Sequence, residues 1–257
     1  MTNTQPITFE GSLGHNLSAR LDEPTGEAKA YALFAHCFTC TKDINATSRI
    51  ARHLAEQQIG VLRFDFTGLG HSEGSFGETT FESNIGDLLA AAQWLRLERQ
   101  APSILIGHSL GGAAVLATAG SVPECKAVAT IGAPSEPKHV LKLIGPSVDA
   151  IERDGHATVP LGGRPIDIGK DLIHDLQTRD PKERIGAMQR PLLIFHSETD
   201  ATVGIENATQ IFTWAKHPKS FVSLDGADHL LTNSDDAKYV AQILVAWAER
   251  WIKHETE

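Results

Sequence analysis

The chain has 257 residues, 41% of them hydrophobic and 21% charged, which excludes a disordered or fibrous chain and suits one well-buried α/β domain. A formal charge of −9 argues against nucleic acid as a partner, and an aromatic fraction of 6% leaves little to stack on bases. Residues 1–24 have no basic stretch followed by an apolar core, and no apolar run approaches a bilayer span. Three cysteines (Cys37, Cys40 and Cys125) suit a reducing compartment without a disulfide framework, so a cytoplasmic protein without membrane contact is expected.

Residues 7–9 and 17–21 alternate around a Gly11…Gly14 turn and predict an antiparallel hairpin. From there, apolar runs alternate with helical periodicity, the pattern of a mostly parallel sheet flanked by helices. Strands are predicted over 31–36, 60–65, 103–107, 127–132, 191–196 and 219–224. Helices are predicted over 44–58, 81–99, 111–120, 204–214 and 235–251, the last capped by Ser234. The rhythm weakens between 133 and 190, where six prolines fall. There, 157–168 reads as a hairpin around Gly162-Gly163 and 172–178 as a short helix. We expect one domain over 1–257, with a small cap inserted at about 134–190 over the carboxyl edge of the sheet, where open α/β proteins bind ligands.

Gly107-His108-Ser109-Leu110-Gly111 follows a predicted strand and opens a helix rich in glycine and alanine. That is the setting of a serine held on a strained turn, where flanking side chains would strike neighbouring backbone. A serine hydroxyl needs a base to take its proton and an acid to orient that base. Asp200 and His229 each follow a predicted strand, on the same edge as Ser109 and in the chain order this arrangement requires. Glu198, Asp225 and Asp228 are rival acids. Neighbours in a short loop rarely turn a carboxylate onto the adjacent imidazole, so Asp200 ranks first. His108 is expected to pack or to line the substrate pocket, and His36, His71 and His196 to be structural. Oxyanion donors are expected from the backbone N–H of Leu110 and of Phe38, in the loop after strand 31–36.

His36-Cys37-Phe38, the run from Arg63 to Gly74 (RFDFTGLGHSEG), GHSLGG, the Asp200 loop and Asp228-His229 together resemble the esterase and serine-aminopeptidase-like branch of the α/β-hydrolase superfamily. The resemblance covers essentially the whole chain and implies the α/β-hydrolase fold and a Ser109–His229–Asp200 triad. His36 to Asp43 (HCFTCTKD) and the stretch ATVPLGGRPIDI are similar to the hydrolase half of bacterial proteins fused to an OsmC-like hydroperoxide-reducing domain. Cys37 departs from the family's usual His-Gly pair, and a side chain there would narrow the pocket toward small acyl groups. Cys37 and Cys40 form a C-x-x-C, read as two small buried residues ahead of a redox pair or a metal site.

The expected activity is hydrolysis of small to medium uncharged carboxylic esters through an acyl-serine, without metal or organic cofactor, by a monomer or homodimer. Rivals are a peptidase with an acidic anchor such as Glu152 or Asp154, a thioesterase, a perhydrolase, a redox-regulated partner of an OsmC-like protein, and a binding module with an idle triad.

Overall fold

The computed structural model describes residues 2–37, 41–161 and 163–252. Strands β1 (Thr2–Glu10) and β2 (Asn16–Pro24) form the expected hairpin, longer than the alternating apolar residues alone suggested. β3 (Ala30–Ala35) leads by α1 (Asn45–Glu56) to β4 (Ile59–Phe64), and α2 (Phe81–Glu98) leads to β5 (Ile104–His108). After α3 (Leu110–Thr118) comes β6 (Ala127–Ile131). The next segment holds α4 (Leu141–Ile144), α5 (Val148–Asp154), β7 (His156–Leu161), β8 (Arg164–Gly169), α6 (Lys170–Thr178) and α7 (Pro181–Ala187). β9 (Leu192–His196), α8 (Glu206–Trp214), β10 (Lys219–Ser223) and α9 (Ser234–Ile252) complete the described chain.

The eight-stranded sheet has the order β1-β2-β4-β3-β5-β6-β9-β10. Within it β4, β3, β5, β6, β9 and β10 run parallel, and β2 joins β4 antiparallel. The chain steps outward from β3 to β4, then back across to β5. The carboxyl ends of β3 and β5 therefore flank a switch point, where loops diverge and a crevice opens.

Successive residues of a strand point to opposite faces, and the core divides accordingly. In β3, Ala30, Ala32 and Phe34 join α1 and α9 on one face. Tyr31, Leu33 and Ala35 join α2 and α3 on the other. α1 presents Ala46, Ile50 and Leu54, spaced four apart, as one buried stripe. Asn233, not Ser234, caps α9: its side-chain oxygen accepts the N–H of Asp235 at 3.1 Å.

β7 and β8 pair as a separate two-stranded sheet, as the alternation around Gly163 predicts. The helices α5 and α7 flanking this region escape a periodicity reading, because a seven-residue helix shows barely two turns.

Candidate active site

Ser109 stands between β5 and α3 with φ 55° and ψ −126°, a conformation that side chains avoid unless the surroundings impose it. Its N–H is tied to Ile131 O of the neighbouring strand at 2.9 Å. The spacing of the flanking glycines is a packing requirement. A Cβ on Gly107 would fall 2.3 Å from Gly111 O, and one on Gly111 would fall 2.4 Å from the carbonyl oxygens of both Ala35 and His36. α3 can therefore start hard against the end of β3 only because position 111 lacks a side chain.

The Ser109 hydroxyl lies 3.0 Å from Nε2 of His229, whose Nδ1 lies 2.7 Å from Oδ2 of Asp200. The structure thus brings the three predicted side chains into one hydrogen-bonded chain from the ends of β5, β9 and β10. The other carboxylate oxygen of Asp200 accepts the N–H groups of Thr202 and Val203, each at 2.9 Å. Burial alone would raise the Asp200 pKa. The hydrogen bonds from His229, Val203 and Thr202 outweigh it, and the carboxyl stays below its ordinary value. Ionised Asp200 then accepts from Nδ1–H, which leaves Nε2 free to take the Ser109 proton.

The rival acids are engaged elsewhere. Glu198 accepts the N–H of Gly226, Asp225 accepts the Ser223 hydroxyl, and Asp228 accepts the N–H groups of Leu230 and Thr232. Glu152 meets Nε2 of His174 at 3.1 Å, and Asp154 is paired with Arg153.

His108 packs. It is buried, and its Nε2 donates to the carbonyl oxygen of His229 at 2.7 Å. Burial first, then the neighbouring His229 ring, pull its pKa down to about 3, so the ring is neutral. This hold on the His229 backbone was not foreseen, although the side chain beside Ser109 was the available signal. Gly132, at the end of β6 with φ 54°, is a second such residue. A Cβ there would stand 3.2 Å from Asp200 Oδ2 and 3.3 Å from His229 Nδ1.

His196 donates from Nε2 to Val203 O at 2.7 Å, bracing the Asp200 loop. His36 is buried, and its Nδ1 lies 2.7 Å from Cys37 O. His71 is largely exposed. Leu110 is the first residue of α3, so its N–H belongs to the turn whose amides lack intrahelical acceptors. Phe38 and Cys40 lie outside the described residues. Cys37 is buried and disulfide-bonded, which departs from the expectation of no disulfide framework; Cys125 is a free, buried thiol. Among the described residues, no group of three His, Cys, Asp or Glu is arranged to hold a metal, and no helix is long and apolar enough to cross a membrane.

The loop after β3 is clamped where it leaves toward α1. Buried Asp65 takes the backbone N–H of Lys42 at 2.6 Å and its ammonium at 2.7 Å. His36 Nε2 approaches the same carboxylate at 3.5 Å, longer than an ordinary hydrogen bond. Arg63 donates to Lys42 O, to Asp22 at 2.7 Å and to Asp43 at 2.9 Å. Burial works to raise the Asp65 pKa, but His36 and the two Lys42 contacts prevail and hold it well below the carboxylate range.

A family model described as "Serine aminopeptidase, S33" matches residues 26–154, half of the chain. The esterase domain of a Rhodothermus marinus protein is 49% identical over 97% of this chain and 99% of its own, with a TM-score of 0.79. Est1E of Butyrivibrio proteoclasticus, solved with ferulic acid, has a TM-score of 0.79 at 19% identity, covering 96% of this chain and all of its own, and shares the fold alone. A curated protein of Salmonella typhi, YfhR, is 22% identical over 204 residues, 78% of this chain and 65% of its own length. The link to OsmC fusion proteins finds no support in these similarities.

Proposed function

Since this chain belongs to the serine aminopeptidase S33 family of α/β hydrolases, we propose that it is a carboxylesterase working through an acyl intermediate on Ser109. The hydrogen-bonded sequence Asp200–His229–Ser109 carries this reading, and the 49% identical esterase domain supports it.

His229 Nε2 takes the hydroxyl proton as Ser109 Oγ bonds to the ester carbonyl carbon. The electron pair moves onto the carbonyl oxygen, which accepts hydrogen bonds from the Leu110 N–H and from a second donor in the loop after β3. Collapse expels the alcohol, protonated by His229. Water, deprotonated by the same nitrogen, then releases the acid and restores Ser109. Asp200 holds the tautomer and balances the transient imidazolium without taking the proton.

Replacing Ser109 by alanine should lower hydrolysis of nitrophenyl acetate by roughly 10⁴-fold or more while leaving the circular dichroism unchanged. A wild-type protein inert to a broad ester panel and unlabelled by serine-directed phosphonates would overturn the assignment. Aminopeptidase activity is the second reading, favoured by the family's description. It needs an acidic group free to bind the substrate amine, and Glu152 already faces the Lys170 ammonium at 4.0 Å and Asp154 the Arg153 guanidinium at 2.7 Å.

A further inference from the structure

Two cavities flank one aromatic ring. The first is a narrow slot of about 10 Å³ that begins at Leu110 and Gly111, directly after Ser109, and is walled mainly by apolar side chains. That volume holds about one water-sized group. The second is a chamber of about 260 Å³ lined by Ala113, Leu116 and Ala117, the next turns of the same helix α3, and also by polar and charged side chains, among them Asp175, Arg179 and Arg184. Ser109, Asp200 and His229 line neither cavity; the slot meets the site at Leu110 and Gly111, the two residues that follow Ser109. Phe81 lines both cavities and is buried.

The ring is held as a wall. Phe81 is the first residue of α2, fixed by a reciprocal cap: the Thr80 hydroxyl accepts the Ser83 N–H at 3.0 Å, and the Ser83 hydroxyl accepts the Thr80 N–H at 2.9 Å. The Arg179 guanidinium lies 5.2 Å from the ring centroid and is itself held by Asp175 at 2.7 Å and Glu82 at 2.6 Å.

Resting on the esterase reading above, we propose that Phe81 sets the acyl-chain length of the substrate. The slot receives the acyl group bonded to Ser109, and the Phe81 ring ends it after a carbon or two. The chamber behind is space that a longer straight-chain acyl group would fill were the ring absent. The substrate class is therefore esters of very short carboxylic acids, and the discrimination lies at the first residue of α2.

The test compares kcat/KM for nitrophenyl esters from acetate to decanoate in the wild type, Phe81→Ala and Phe81→Leu. The wild type should fall at least tenfold between acetate and octanoate. The octanoate-to-acetate ratio should rise at least tenfold in Phe81→Ala and by less in Phe81→Leu, whose smaller change guards against a variant that fails to fold. Labelling of Ser109 by methyl and octyl phosphonates should shift in the same direction. A chain-length profile unchanged in Phe81→Leu and in any folded Phe81→Ala, with Ser109 still labelled, overturns this proposal alone. A wild type that hydrolyses no ester and resists both phosphonates overturns the esterase reading with it.

Discussion

A methyl group at Gly132 would sit within 3.4 Å of both partners of the Asp200–His229 hydrogen bond, on a backbone that already has positive φ. Gly132→Ala should therefore cost about 1–2 kcal/mol of stability in urea unfolding. By pushing the imidazole off the Ser109 hydroxyl, it should also lower kcat roughly tenfold or more with little change in KM, since a displaced base weakens the transition state more than binding. The glycine was legible as the end of a strand but not as the residue that leaves room for the acid–base pair. Ser109, Asp200 and His229 were legible because each follows a strand and their order is informative. Gly132 and His108 became meaningful only once β5, β6 and β10 were seen to bring their ends together.

The loop that follows β3 is anchored through strand β4, whose carboxyl end supplies Arg63 and Asp65. Asp65→Asn would leave the buried Lys42 ammonium with only the half-exposed Asp43 carboxylate, 3.6 Å away. The expected loss is about 3 kcal/mol, the low end for breaking a buried pair, read as a lower urea midpoint. Along the chain Arg63 and Asp65 fall in the predicted strand 60–65 and Lys42 in the loop after strand 31–36, with no pattern that pairs them. Their pairing spans 23 positions for Lys42 and Asp65, and it depends on β4 lying beside β3, which hydropathy does not encode. The central strands and α1, α2 and α9 were readable because each buries a continuous run or a clear stripe. β1 was under-read because, as an edge strand, it carries mostly polar residues that no hydrophobic pattern marks. The segment from α4 to α7 was read least well, its helices being short and its sheet a single hairpin.

Taken as a whole, the molecule stores a pH dependence in its interior. His108 titrates near 6.5 when unfolded but only at about 3 when folded. Between these values the unfolded chain binds the extra proton, so stability is complete above about pH 6.5 and is lost as pH falls toward 3, by up to ~1.4 kcal/mol per unit. His196, also pushed down by burial, adds to the same slope. Asp200, whose pKa is depressed, contributes stability that is present above its unfolded value and lost at still lower pH. Urea midpoints from pH 7.5 to 4 should thus decline for the wild type and decline less steeply for His108→Asn, which should be less stable than the wild type at pH 7.5. His229 is gripped at three points: its ring by Asp200 and Ser109, its carbonyl by His108. Deleting the serine hydroxyl removes one grip and leaves two. The alanine form would keep its pocket and its imidazole in register while being unable to turn over. Such a silent copy, immobilised and washed with cell extract, becomes a capture reagent, and mass spectrometry of what it retains would test the proposed ester substrate directly.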